Sequence, residues 1–180
     1  MIEFKFKKEK ALEAISFILE KSENKKLQIA LLVKMIYFSN RECLDKYNFA
    51  LTGGELYSLP NGPIIEEVLD LLNSQSSIYK RVDKVIELEE PIIEKSLSEA
   101  EIEILEDNFK KFKNYTFAQL IDYCHDKRFV PEWKDPGYSR IWIDPLDLLL
   151  LIDKNHEEIE FIKESIQEEN SFQEAISKYK

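Results

Sequence analysis

The stretch from Leu27 to Tyr47, LQIALLVKMIYFSNRECLDKY, constrains the fold more than any other part of the chain. For its first dozen residues it is apolar almost all round at helical period. A helix of that kind has no face to give to water, so other elements must cover it on most sides. It is therefore expected to be the central element. Its second half turns polar on one face, where Asn40, Arg41 and Asp45 should be exposed or paired. A chain of 180 residues can supply the cover, because at that length about 70% of the unfolded surface is buried on folding. No disulfide or metal is needed to hold it, and residues 1–180 fit the size of one domain.

The flanks show how the cover is built. Residues 7–21 place Ala11, Leu12, Ile15, Ile18 and Leu19 at helical spacing, and SENKK then breaks the pattern, with Ser22 or Asn24 available to cap the next helix. After the central helix comes TGGELYSLPNGPI, residues 52–64, with three of the chain's four glycines and two of its six prolines. Extended pieces at 49–52 and 55–59 around Gly53-Gly54 suggest a hairpin. Asn61-Gly62-Pro63 reads as a turn with the proline in the first turn of a helix. That helix carries Ile65, Val68, Leu69 and Leu72 and ends near Asn73, and NSQSS links it to one short strand bearing Val82, Val85, Ile86 and Leu88.

The second half is helical with clear punctuation. Ser98 with Glu101 and Thr116 with Gln119 form capping boxes. The first opens a helix with Ile102, Leu105, Phe109 and Phe112 inward, the second one with Leu120, Ile121 and Cys124 inward. FVPEWKDPGY breaks the pattern. Asp144-Pro145 starts another helix with Asp147 in its first turn, and residues 155–180 form an amphipathic helix and tail. The expected fold is mainly α: a single-domain helical bundle with a small β-hairpin or short sheet inserted after the second helix.

Charge narrows the partners. The net charge is −10, divided as +2 over residues 1–26, −4 over 27–97 and −8 over 98–180. A nucleic-acid binder needs a local excess of positive charge to displace counterions, and only KFKKEK offers a small one. The field repels nucleic acid and anionic membranes and suits a basic protein partner. No apolar run reaches the ~18 residues of a membrane span, and MIEFKFKKEK lacks the apolar core of a signal peptide. The expected location is cytoplasmic, with Cys43 and Cys124 as reduced core thiols.

Few residues invite chemistry. His125 sits in DYCHDK beside Asp122, Cys124 and Asp126, a set that could suggest a nucleophile or a metal ligand. Yet neighbouring residues on a helix point about 100° apart, so Cys124 and His125 do not share a target. Asp122 and His125 at i, i+3 are expected to pair on the helix surface. His156, Glu66-Glu67 and Glu157-Glu158 read as solvated faces. The chain has no phosphate-binding, dinucleotide, nucleophile-elbow or zinc-protease motif. No catalytic residue, no metal ligand and no cofactor is assigned, and an enzyme is not expected.

Taken with its neighbours, the glycine-rich stretch has a recognisable pattern. KMIYFSNRECLDKYNFALTGGELYSLPNGPIIEEVLDLL, residues 34–72, resembles the hallmark of the Panacea, or SocA-like, antitoxin domain. The matching positions are Lys34, Tyr37, Phe38, Ser39, Asn40 and Arg41, then Thr52, Gly53, Gly54, Glu55 and Tyr57, then Gly62, Pro63 and Ile64. Asn40 stands where the family commonly has aspartate. LSEAEIEILEDNFKKF and TFAQLIDYCHDKRFVPEW are similar to later helices of that family, the second followed by Pro131 and Trp133. The resemblance covers about residues 25–150.

It implies an antitoxin that neutralises a cognate toxin, basic and encoded nearby, by direct protein–protein binding. Partner-binding positions would be Tyr37, Arg41, Thr52, Gly53, Gly54, Glu55, Tyr57, Gly62, Pro63 and Trp133. An alternative is an adaptor that delivers the toxin to a protease, with residues 168–180 as a tether. A less favoured one is a small hydrolase or metal protein using Asp122 and His125.

Overall fold

A computed structural model describes residues 2–92 and 96–177 of the chain. Seven helices are seen there: α1 Lys8–Lys21, α2 Ile29–Tyr47, α3 Glu66–Asn73, α4 Glu99–Phe112, α5 Phe117–His125, α6 Pro145–Leu151 and α7 His156–Ser177. Six short strands accompany them: β1 Lys26–Gln28, β2 Leu56–Leu59, β3 Gly62–Ile65, β4 Tyr79–Val82, β5 Val85–Leu88 and β6 Ile141–Trp142. The fold is mainly α, but the strands make two three-stranded sheets, ordered β1-β5-β4 and β3-β2-β6. A helical bundle with one hairpin therefore describes it incompletely.

Helix α2 is the central element that its all-round apolar character demands. Every residue from Leu31 to Asn40 is buried, and α1, α3, α4, α5 and strand β3 lie against it. It begins at Ile29 rather than Leu27, because Lys26–Gln28 pair with Val85–Glu87 as β1. Neither Ser22 nor Asn24 caps it. Ser22 Oγ donates back to the Ile18 carbonyl at 2.8 Å, and the Ile29 N–H donates to the Lys84 carbonyl at 2.9 Å. A turn of the neighbouring sheet thus does the work of a capping side chain. That turn, with Asp83 at φ 55°, folds the expected single strand into the β4–β5 hairpin.

The second sheet departs from expectation in two places. The β2–β3 hairpin turns at Pro60-Asn61, not at Gly53-Gly54, and residues 49–52 form no strand. Pro63 lies inside β3 at the sheet edge, where proline is tolerated, and α3 begins three residues later. Gly53 and Gly54 instead receive the N-terminal segment. The Gly54 N–H donates to the Phe4 carbonyl and the Lys7 N–H to the Thr52 carbonyl, both at 2.7 Å. Gly53 has φ 62°, and a Cβ there would overlap the Lys5 carbonyl oxygen. Glycine lets two backbones meet where no other residue fits.

The remaining punctuation holds. Both capping boxes form, and Asp144 Oδ1 accepts from the Leu146 N–H at 2.8 Å with Pro145 in the first turn. Ile104, Leu105, Phe109 and Phe112 of α4 are buried while Ile102 is half-buried, and on α5 Leu120 and Cys124 are buried and Ile121 half-buried. Val68 and Leu72 are the buried residues of α3, with Leu69 half-buried and Ile65 still in β3. One apolar cluster takes in residues from Ile2 to Ile162. Among the described residues, no helix is long and apolar enough to cross a membrane.

Candidate functional site

Lys34, Tyr37 and Arg41 recur at i, i+3 and i+7 along α2, which puts them on one side of the helix. Asn40 lies on the adjoining face. All four find partners in segments far along the chain. Asn40 Oδ1 accepts the N–H groups of Thr52 at 3.0 Å and Gly53 at 3.1 Å. An amide oxygen thus holds the glycine segment. Lys34 Nζ donates to the Pro63 carbonyl at 2.7 Å. Its side chain is enclosed, and burial brings its pKa down to about 8.

Tyr37 and Arg41 converge on Glu132, a residue in the break after α5. The Tyr37 hydroxyl donates to Glu132 Oε1 at 2.9 Å. Arg41 Nε lies 2.9 Å from the same oxygen, but its N–H is not aimed there, so it contributes charge rather than a hydrogen bond. Glu132 is only 2% exposed, and its Oε2 has no hydrogen-bond partner. Burial, reinforced by the neighbouring carboxylate, holds the Tyr37 hydroxyl pKa well above its usual range.

The same break clamps the hairpin. Trp133 Nε1 donates to the Leu59 carbonyl at 2.9 Å, and the Lys134 N–H donates to Ser58 Oγ at 3.1 Å. His125 does not serve as the surface partner of Asp122. Its ring stacks on Trp133 with centroids 3.9 Å apart, and its Nε2 lies 2.8 Å from the Pro60 carbonyl. Because a carbonyl only accepts, this contact places the proton on Nε2. Gly62 packs against Cys124, where an added Cβ would sit 2.5 Å from the cysteine Cβ. Both thiols are free and buried, with burial pushing Cys124 up to about 11 and Cys43 up to about 12.

The opposite face of the hairpin meets solvent. Along β2, Leu56 and Ser58 are buried while Tyr57 and Leu59 are half-buried, the alternation of a strand with one covered face. Tyr57 pairs with Ile64 on one side and Trp142 on the other, and residues directly opposite share a face. Trp142 is 44% exposed. The Arg140 guanidinium lies 4.5 Å over the Tyr57 ring and pairs with Glu66. The Tyr57 hydroxyl donates to Glu55 Oε2 at 2.9 Å, and Glu67 Oε2 accepts the Glu55 N–H at 2.8 Å. A tryptophan, a tyrosine and an arginine thus stand together within an acidic frame.

The residues singled out from the sequence divide accordingly. Tyr37, Thr52, Gly53, Gly54, Gly62, Pro63 and Trp133 are buried, Arg41 and Tyr57 are half-buried, and Glu55 is exposed. Glu132, Arg140 and Trp142 are the additions. Glu132 lies between Pro131 and Trp133 in a segment that reads only as a helix break, Arg140 just precedes β6, and Trp142 lies in that strand, which is too short to show alternation. Among the described residues, no group of three or more His, Cys, Asp or Glu side chains could hold a metal ion.

A family model described as antitoxin SocA-like, Panacea domain, matches residues 32–134. The matched span takes in α2 from Leu32 on, the β2–β3 hairpin, α3 to α5, Glu132 and the Trp133–Lys134 clamp, and it ends before Arg140 and Trp142. No curated protein and no solved structure matches the chain.

Proposed function

Since the chain belongs to the family of SocA-like antitoxins with a Panacea domain, we propose that it neutralises a cognate toxin protein by binding it directly. Binding is centred on the outer face of the β3-β2-β6 sheet. The observation that carries this proposal is the clustering of Tyr57, Arg140 and Trp142 on one exposed, acidic-framed surface. Tryptophan, tyrosine and arginine are the residues most enriched where truncation costs binding energy. Glu55, Glu66 and Glu67 around them, with a net charge of −10, favour a basic partner. The buried members of the set, Tyr37, Thr52, Gly53, Gly54, Gly62, Pro63 and Trp133, with the half-buried Arg41, hold that face in shape from behind. The chain acts as one folded domain, its toxin is encoded nearby, and the pair works in the cytoplasm.

No bond-making step is assigned to the chain. The placement of His125 supports this, because its ring is committed to Trp133 and the Pro60 carbonyl. A second possibility, the protease adaptor, draws on the far end of α7, where Phe172 is 64% exposed. Deleting residues 168–180 separates the two. A direct neutraliser keeps rescuing growth without them, whereas an adaptor still binds the toxin but no longer brings about its degradation.

The primary test is co-expression with the protein encoded beside this gene. Growth rescue and co-purification are expected for the intact chain. Absence of both would overturn the proposal.

A further inference from the structure

A groove of about 230 Å³ opens on the same sheet face as Tyr57. Leu59 and Ile64 of the hairpin, Leu69 of α3, Phe117 and Leu120 of α5 and Val33 of α2 line it, with Lys34 as the one charged side chain. The groove neighbours Tyr57, since Ile64, which lines it, is the direct cross-strand partner of that residue. Its volume lies below the roughly 300–1,000 Å³ of pockets that enclose drug-sized molecules, so it suits one apolar side chain with a short polar end. Lys34 is 4% exposed. An ammonium has three protons to donate, and the Pro63 carbonyl is its one hydrogen-bond acceptor among the described residues. The nearby Cys124 thiol offers only a weak acceptor and no countercharge. A buried cation without an anionic partner is costly, and a carboxylate delivered with the apolar group would supply one.

We propose that this groove receives the C-terminal residue of the partner polypeptide, an apolar side chain seated between Leu69, Phe117 and Leu120 with its free α-carboxylate toward Lys34. The inference rests on the antitoxin reading for its choice of a polypeptide. The required chemistry is carried by the groove itself, an apolar slot sized for one residue with a single buried positive charge.

The test uses the intact chain and a fluorescein-labelled heptapeptide ending in leucine, as free acid and as C-terminal amide, with octanoate as a third probe. The free acid is expected to bind at least about tenfold more tightly than the amide. Leu69→Arg should abolish that binding in a chain that is still folded by its amide spectrum, and Lys34→Met should erase the preference for acid over amide. Backbone amide shifts on titration should centre on Val33, Ile64, Leu69 and Leu120. Equal binding of acid and amide, or undiminished binding to a folded Leu69→Arg variant, overturns the proposal. Octanoate binding that depends on Lys34 while the peptide acid fails to bind overturns the polypeptide occupant. Growth rescue in the same strains separates the two levels. Rescue by wild type and Leu69→Arg alike sinks the groove and leaves the antitoxin function standing. Failure of rescue by wild type sinks the antitoxin function itself.

Discussion

The Tyr37 hydroxyl donates its proton to Glu132 Oε1 across 95 residues of sequence, tying the buried helix α2 to the segment that clamps the β2–β3 hairpin. A carboxylate enclosed to this degree is tolerated because it is hydrogen-bonded and has the Arg41 guanidinium beside it. Removing the hydroxyl alone leaves the charge buried with one contact fewer. Tyr37→Phe should therefore lower stability by about 1.5–3 kcal/mol, the value of a hydrogen bond to a charged group. Urea unfolding should show a lower midpoint with an unchanged slope. An unaltered midpoint would mean that the bond contributes nothing net.

Gly53→Ala tests the seam between the N-terminal segment and the glycine pair. The left-handed backbone conformation costs a non-glycine residue about 1–2 kcal/mol, and the added Cβ also overlaps the Lys5 carbonyl. The whole chain should lose at least that much stability. Hydrogen exchange should locate the effect, with the amides of Lys7 and Gly54 losing protection before those of α2. Native protection at both amides in the variant would contradict the close approach.

Lys34 gives a pH signature of definite sign. Its pKa is about 8 in the folded chain against 10.5 when solvated. Below pH 8 both states carry the proton, and the folded chain bears the full cost of burying it. Between about pH 8 and 10.5 the folded chain has released the proton while the unfolded chain retains it. Stability then rises with pH. Relative to Lys34→Met, the wild type should gain about 3 kcal/mol across that window, at 1.36 kcal/mol per pKa unit. Paired urea titrations at pH 7.5 and 10.5 measure the difference. A wild type that loses ground to the variant would show that the ammonium is not desolvated.

On the exposed sheet face, Trp142→Ala and Arg140→Ala should each weaken toxin binding by about 30-fold, corresponding to the roughly 2 kcal/mol of an interface hot spot. Calorimetric titration against the co-purified toxin reads the change. Stability should move by no more than about 0.5 kcal/mol, as is usual for surface substitutions. Full affinity in both variants would remove this face from the interface.

Local signals in the sequence report local structure well. Both capping boxes, the Asp144-Pro145 helix start and the all-round apolar α2 can be read directly, because each depends on residues within one or two turns. Contacts between distant segments cannot be read in this way. Gly53-Gly54 looks like a hairpin turn from its neighbours, yet its conformation serves the N-terminal segment lying almost fifty residues earlier. Val82 to Leu88 looks like one strand until Asp83 takes φ 55° and β1 supplies a partner. Glu132 carries no sign of its role, since a lone acid in a helix break usually faces water. Only the fold brings Tyr37 and Arg41 to it. Of the candidate site, the family pattern marks mainly the buried support, while Arg140 and Trp142 lie beyond the matched span.

The clamp made by Trp133 on Leu59 and by Lys134 on Ser58 grips β2 through one carbonyl and one inward-pointing hydroxyl. Neither bond touches the outward side chains. Position 57 can therefore change without breaking either bond that holds β2. The bonds that anchor β2 and the side chain it shows outward at position 57 are thus separate, so the anchoring of the strand does not depend on what that side chain is.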